Sequence, residues 1–177
     1  MLVAANILVV FSHFPQVNKI SSVRVPRQEE IDQNRPWGYF YVSSQEHQLI
    51  CGGGGCLFLY LTHSYHLSAS LGRGSNNFAE LMALKLLLLF VVEKDCHSLQ
   101  VFGDSIFVID WARGFIRCHV IRLLPILEEV ALLQQRFDNI SFTHVFKERN
   151  GVADRISKEA SQLPFSCSFR SIAFFET

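Results

Sequence analysis

The sequence predicts one α/β domain in which a five-stranded mixed sheet is flanked by helices on both faces. Three β-like runs come first, between residues 38 and 71, and the turns between them are short enough for an antiparallel meander. Helical patterns then alternate with two short apolar strands, which is the order of crossover connections between parallel strands. Together the two halves predict a sheet with both kinds of pairing.

Each predicted element ends at turn residues or at a change of hydrophobic period. The strands, in chain order, are Gly38–Gln45, Leu49–Leu61, Tyr65–Leu71, Leu99–Gly103 and Ile140–Val145. The helices cover 77–94, 105–114, 120–137 and 151–161. Alternation along the first strand places Tyr39, Tyr41 and Ser43 on one face of the sheet.

The predicted domain covers residues 37–161. Residues 1–36 are an N-terminal extension and linker, because 16–36 are polar and contain two prolines. Residues 162–177 form a C-terminal tail whose sequence does not follow a helical period. The first eleven residues lack the positive charge of a secretory leader and are too short to span a bilayer, so we expect no membrane partner.

Composition excludes two classes of protein. Apolar residues make up 49% and charged residues 18%, which excludes intrinsic disorder as the main state. The net charge is zero, which excludes a strongly basic nucleic-acid coat protein and leaves room only for local basic patches. The five cysteines show neither a CxxC nor a zinc pattern, and the histidines show no metal-ligand spacing. Reduced thiols predict a cytoplasmic or nuclear protein that is not secreted.

The run Gly52–Gly55 does not predict a phosphate-binding loop. Such a loop needs a Gly-Lys-Ser/Thr sequence that opens a helix, whereas these glycines lead into a strand. A bulge or a close approach of another backbone explains them better.

Three acidic residues lie where α/β proteins place functional groups. Asp104 ends a short buried strand, Glu80 lies three residues after Asn77 at the start of the first helix, and Asp154 lies in the first turn of the last helix. Each also has an ordinary structural explanation. Asp104 could cap the next helix, Glu80 could complete a capping box with Asn77, and Asp154 could interact with the helix dipole.

Five segments together resemble one protein family. They are WGYFYVSSQ, GGGGCLFLYLTH, GRGSNNFAELMALKLLLL, SLQVFGDS and THVFKERNGVADRISKEA. In this order they resemble the ribonuclease H-like domain of plant non-LTR retrotransposon reverse transcriptases, over about residues 37–161. The resemblance implies the ribonuclease H-like fold and hydrolysis of the RNA strand of RNA–DNA hybrids, with two Mg²⁺ ions held by four carboxylates.

The resemblance assigns three of those carboxylates and shows one departure. Glu80, Asp104 and Asp154 match the second, third and fourth positions and would be catalytic and metal-binding. Tyr41 occupies the position of the first Asp. A neutral phenol does not replace a carboxylate as a Mg²⁺ ligand at neutral pH, so we expect one bound Mg²⁺ or none and impaired catalysis.

Polar side chains near the predicted site match the family's nucleic-acid contacts. Those residues are Ser43, Ser75, Asn76, Asn77 and Asn150. They would contact an RNA–DNA hybrid or duplex RNA, whose shallow minor groove suits short polar side chains. Helix capping is the alternative for the two asparagines of the first helix.

Two clusters of basic residues could contact phosphates or could simply be solvated surface. The first comprises Arg113, Arg117 and Arg122, and the second Lys147, Arg149, Arg155 and Lys158. We expect the chain to be a monomer. Its sequence is consistent with two functions. One is a hybrid-specific endoribonuclease, and the other is a non-catalytic, retroelement-derived nucleic-acid-binding module.

Overall fold

The computed structural model describes residues 31–45, 50–60, 63–146 and 167–173. Within these residues, six strands form one mixed sheet in the order β5-β4-β1-β2-β3-β6. Their bounds are β1 Trp37–Gln45, β2 Ile50–Tyr60, β3 His63–Arg73, β4 Ser98–Gly103, β5 Asn139–His144 and β6 Cys167–Ala173. β4 pairs in parallel with β1 and with β5, and the other neighbours are antiparallel. The mixed sheet and its five predicted strands are confirmed.

The sixth strand lies in the segment that the sequence predicts as a C-terminal tail. β6 pairs antiparallel with β3 over Cys167–Ala173 and extends the sheet at that edge. Its first residues alternate apolar and polar side chains, Cys-Ser-Phe-Arg, which is a weak strand pattern. The domain limits drawn from composition stay a prediction.

Three described helices pack together. They are α1 Asn76–Glu93, α2 Ile106–Ala112 and α3 Leu124–Gln134. A 3₁₀ turn at Ile121–Leu123 precedes α3, and Pro125 lies in its first turn, where a missing N–H costs little. α3 is therefore shorter than the predicted 120–137. The predicted last helix, 151–161, lies outside the described residues.

Strand alternation divides the buried side chains into two clusters. Phe40 points toward the helices and is fully buried with Leu57, Leu84 and Val101 in the helix-side core. The opposite face, here called the aromatic face, buries a second set against the sheet. Its members are Ile31, Trp37, Tyr39, Tyr41, Cys56, Phe102 and Val145. Tyr39 and Tyr41 share a face as the sequence predicts.

Close packing explains two of the four glycines of β2, Gly53 and Gly55. A Cβ atom on Gly55 would lie 3.0 Å from the Tyr39 carbonyl oxygen and 3.1 Å from Leu67 Cδ1. One on Gly53 would lie 2.7 Å from Leu71 Cδ1, beneath α1. The pairing with β3 also shifts between Cys51 and Gly52. The prediction of a bulge and a close approach is confirmed.

Residues just before β1 contact β4. The Gln100 side chain accepts a hydrogen bond from Asp32 N at 2.9 Å and donates one to the Asp32 carbonyl at 2.8 Å. Arg35 Nε donates to Ser98 Oγ at 2.9 Å. These contacts hold the residues that lead into β1 against β4. They lie toward the amino-terminal ends of the two strands. None of the helices that the structure describes is long and apolar enough to cross a membrane.

Candidate functional site

The carboxyl end of β4 lies beside the middle of β1. Phe40 pairs with Gly103 in the parallel ladder, so Tyr41 and Asp104 are the next residues of the two strands. The N-cap of α2 is Ser105, whose side chain makes no cap hydrogen bond. Asp104 is therefore the last residue before the cap, and the alternative that it caps α2 is wrong.

Glu80 lies in the first part of α1 and is 7% exposed. The helix begins after Ser75, whose hydroxyl accepts a hydrogen bond from Phe78 N at 3.2 Å. Asn76 Nδ2 donates to Glu80 Oε1 at 2.6 Å. The cap is thus a serine and not an asparagine, and the expected capping box between Asn77 and Glu80 is wrong. Asn76 instead orients the Glu80 carboxylate.

The direction of α1 carries Glu80 to the same end of the sheet. A Cβ on Gly53 would lie 3.4 Å from Ala83 Cβ, and one on Gly38 would lie 3.1 Å from Leu87. Gly53 is opposite the second half of β1, so α1 runs antiparallel to that strand. Glu80 comes one turn before Ala83, so its turn of helix lies over the carboxyl half of β1.

The third residue of interest at this end of the sheet is Tyr41, which follows Phe40 in β1. Its side chain is 2% exposed, and its hydroxyl is 3.1 Å from Cys56 Sγ. Desolvation by burial, together with the neighbouring Cys56, holds the pKa of Tyr41 well above its ordinary value of 10.0. The side chain at position 41 is therefore a neutral, buried phenol at physiological pH.

Among the described side chains, this end of the sheet offers two carboxylates and one neutral phenol. Mg²⁺ prefers carboxylate oxygens, which the phenol does not supply, so the described residues do not by themselves make up a site for a pair of Mg²⁺ ions. Within residues 31–45, 50–60, 63–146 and 167–173, no three His, Cys, Asp or Glu side chains are grouped to hold a metal. Asp154, the fourth predicted carboxylate, lies outside that part of the chain.

A second polar row crosses the aromatic face, and the sequence did not predict it. Cys56 Sγ lies between the Tyr41 hydroxyl and His66 Nδ1, which is 3.6 Å from the sulfur. Linear spacing between cysteines and histidines gave no metal or catalytic signal. The contact between Cys56 and His66 follows from strand pairing, since the two residues are directly opposite each other in β2 and β3.

The predicted nucleic-acid contacts differ in what they touch. Ser75 and Asn76 are exposed at the start of α1, and Asn77 is half-buried. Ser43 lies in β1, where the structure describes its backbone and not its side chain. Asn150 lies outside the described residues.

The first basic cluster is only partly available to a ligand. Arg113 Nε donates to the Phe142 carbonyl at 2.9 Å, and its guanidinium lies 5.3 Å from the Phe115 ring centre. It therefore fastens the end of α2 to β5. Arg117 and Arg122 are exposed. The second basic cluster lies outside the described residues.

The sequence and the fold were each compared with those of known proteins. The sequence model of the reverse transcriptase-like family matches residues 61–160. The crystal structure of RNase H1 from the halophilic archaeon Halobacterium salinarum aligns with a TM-score of 0.64 and 25% identity, over 71% of this chain and 96% of that one. No curated protein is similar enough to count as a relative.

Two further solved structures share the fold. The N-terminal RNase H domain of a Mycobacterium tuberculosis protein, fused to maltose-binding protein, has a TM-score of 0.65 and 23% identity, over 72% of this chain and 93% of that one. LC11-RNase H1 in complex with an RNA/DNA hybrid has a TM-score of 0.60 and 22% identity, over 71% and 96%.

Proposed function

Because the chain belongs to the reverse transcriptase-like family, within the ribonuclease H superfamily, we propose that it binds RNA–DNA hybrids or duplex RNA and is impaired in hydrolysing them. The binding activity rests on the polar surface at the start of α1. The impairment rests on Tyr41. The two parts are separable, because one concerns the surface that meets the nucleic acid and the other concerns the chemistry at the sheet end.

The burial of Tyr41 is the observation that carries the proposal. A family carboxylate at this position would be charged and would face a metal ion. Here the phenol is almost fully buried and makes its polar contact with a thiol, so it provides no negative charge.

The start of α1 supports binding. Ser75 and Asn76 are exposed there, one turn before the buried Glu80. The minor groove of an A-form-like duplex is shallow and presents 2′-hydroxyls, which short hydroxyl and amide side chains can contact. One protein with the same fold, LC11-RNase H1, was solved with an RNA/DNA hybrid bound.

Glu80 and Asp104 support descent from an active enzyme. Neither serves as a helix cap, and Asn76 orients the Glu80 carboxylate. Together with Asp154 they would be the remaining ligands of a weakened site that holds one Mg²⁺ or none. We also propose that the chain derives from a plant retroelement and acts as a monomer in the cytoplasm or nucleus, with residues 37–161 as its catalytic-type domain.

The test compares binding with cleavage in the same preparation of the full chain. A fluorescently labelled RNA–DNA hybrid is titrated with protein, and the RNA strand is then followed in the presence of Mg²⁺. We expect saturable binding, with a duplex DNA of the same sequence bound more weakly, and cleavage near background. Absence of hybrid binding would contradict the binding part, and rapid Mg²⁺-dependent cleavage would contradict the impairment.

The alternative is a module that never cleaves and uses the fold only as a binding surface. It differs from the impaired enzyme in one measurable respect. An impaired enzyme regains cleavage when a carboxylate is returned to position 41, and a module whose other groups have also lost their arrangement does not.

A further inference from the structure

Three exposed aliphatic side chains lie along the helical segment that runs from the 3₁₀ turn at Ile121 to the end of α3. They are Ile121 at 81%, Leu124 at 37% and Leu132 at 62% exposure. The 3₁₀ turn brings Leu124 directly after Ile121 on the same side, and two α-helical turns separate Leu124 from Leu132. The three side chains therefore share one face, here called the apolar stripe.

The apolar stripe is not the face by which α3 packs on the domain. Val130 is fully buried in the helix-side core, and Lys85 of α1 forms an ion pair with Glu129. Val130 comes two residues before Leu132, a spacing that turns the two side chains to opposite sides of the helix. The stripe is thus apolar surface left to solvent, and exposed apolar surface of this kind marks interaction sites.

The chain that leads into the stripe is basic. Residues 111–127 include Arg113, Arg117 and Arg122 and contain no Asp, Glu or Lys. Arg117 and Arg122 are exposed, and the ring of Phe115 is 73% exposed. Arginine and aromatic residues are enriched in protein–protein interfaces, whereas lysine and acidic residues are depleted. The composition of this surface therefore favours a protein partner, and its positive charge favours an acidic one.

The aliphatic side chains and one carboxylate argue against the other classes of partner. Ile121 and Leu132 have no ring on which a base could stack, so a nucleic acid would leave them exposed. Glu128 is exposed between Leu124 and Leu132, and its carboxylate would face the anionic headgroups of a membrane. A protein can cover the aliphatic groups and also place a polar group opposite Glu128.

We propose that the apolar stripe, together with Arg117 and Arg122, docks an amphipathic helix of a partner protein with acidic residues beside its apolar face. Apolar side chains of that helix would cover the stripe, and its carboxylates would form paired hydrogen bonds with the guanidinium groups. The helical segment is about 20 Å long, which corresponds to a partner helix of about 14 residues. The docking site does not depend on the proposed nucleic-acid function.

The docking site is tested with the full chain and two synthetic peptides. Both peptides are about 18 residues long, enough to form a helix, and carry leucine at every third or fourth position. Their polar positions alternate glutamine with glutamate in the acidic peptide and glutamine with lysine in the basic peptide. In fluorescence anisotropy titrations we expect the acidic peptide to bind saturably and at least about tenfold more tightly than the basic one.

Substitutions assign the binding to this surface. Ile121→Ser and Leu132→Ser should each weaken binding of the acidic peptide by about tenfold or more, because each removes a large aliphatic side chain from the contact. Ile106→Ser, which changes a half-exposed isoleucine at the start of α2, is the matched control and should leave affinity unchanged. Replacing Arg117 and Arg122 with Gln should remove most of the preference for the acidic peptide.

The aliphatic variants separate this site from hybrid binding, because the acidic peptide and the hybrid are both anionic and both respond to arginine. Ile121→Ser should bind the RNA–DNA hybrid as the wild type does. Loss of hybrid binding in this variant would assign the stripe to nucleic acid and would overturn the proposal.

Four further results would overturn it. They are equal binding of the two peptides, unchanged peptide affinity in Ile121→Ser, binding of phosphatidylserine vesicles that Ile121→Ser removes, and a wild-type dimer in sedimentation that the same variant dissociates. Circular dichroism shows whether each variant folds. If Leu132→Ser does not fold, Ile121→Ser decides, because Ile121 is the most exposed member of the stripe.

Discussion

At the scale of single residues, the protonation of Tyr41 links the chemistry of the sheet end to the stability of the fold. Burial raises the pKa of this phenol well above 10.0. The folded chain therefore keeps a proton that the unfolded chain releases near pH 10. Above that pH the unfolded state binds fewer protons, so the free energy of unfolding falls as pH rises. Below it, the contribution of Tyr41 is fully present.

Tyr41→Phe should remove most of this alkaline sensitivity. Wild-type stability should fall above about pH 10 by up to about 1.4 kcal/mol per pH unit more than that of Tyr41→Phe. Denaturant unfolding at several pH values measures the difference. Tyr65→Phe, which alters a half-buried tyrosine on β3, serves as the control and should keep the wild-type slope. Equal slopes for wild type and Tyr41→Phe would contradict a protonated, desolvated phenol.

Residue chemistry was only partly predictable from the sequence. The sequence alone showed the departure from the family pattern at position 41, because a tyrosine stands where the family has an aspartate. The contact between Tyr41 and Cys56 was not, because it requires the pairing of β1 with β2. The antiparallel register places Cys56 opposite Tyr39 and Gly54 opposite Tyr41. This register brings Cys56 within reach of the Tyr41 side chain. A long-range pairing of this kind leaves no trace in linear spacing.

At the scale of elements, the hydroxyl of Ser75 caps the start of α1. Ser75 Oγ accepts a hydrogen bond from Phe78 N, which satisfies one of the N–H groups that the first turn leaves without an intrahelical partner. The next residue, Asn76, contacts Glu80 instead. Ser, Asn and Asn are adjacent and are all good N-cap residues, so propensity could not select among them.

Ser75→Ala should lower the free energy of unfolding by about 1 kcal/mol, the usual cost of losing a side-chain cap. Ser75→Asp should recover most of it, because a carboxylate caps equally well and suits the helix dipole. Ser105→Ala is the matched control, since Ser105 occupies the N-cap of α2 without a side-chain cap bond. A loss from Ser105→Ala as large as that from Ser75→Ala would argue against the cap as the cause.

Predicted and observed element boundaries agree where the hydrophobic pattern is strong and differ where it is weak. The predicted first helix and the observed α1 differ by one residue at each end. α3 ends before the predicted 137, because the pattern of 120–137 included a 3₁₀ turn and a chain exit. β6 was missed because its seven residues are stabilised by pairing with β3, which local propensity does not report.

At the scale of the whole molecule, a net charge of zero limits affinity for nucleic acid. Phosphate contacts must come from local basic groups, and Arg113 is already engaged with β5. Arg117 and Arg122, in the same segment between α2 and α3, are exposed. Hybrid binding should therefore be weak and should depend on salt.

Replacing Arg117 and Arg122 with Gln should lower hybrid affinity and reduce the salt slope by about one for each phosphate that an arginine no longer neutralises. Fluorescence titrations at several salt concentrations measure both. Arg136→Gln is the control, because this exposed arginine follows α3 near the amino end of β5, away from the carboxyl ends of the parallel strands. If affinity does not change with salt, phosphate contacts do not hold the hybrid.

The most direct measurement is hybrid cleavage by Tyr41→Asp. The single variant is preferred to one that also carries Val42→Gly, because Val42 packs against the helix-side core and its removal would cost stability. Returning a carboxylate to position 41 should give Mg²⁺-dependent cleavage on the order of a hundredfold faster than wild type. Asp104→Asn in the same background should abolish it. A wild type that already cleaves hybrids as fast as Tyr41→Asp would contradict the account.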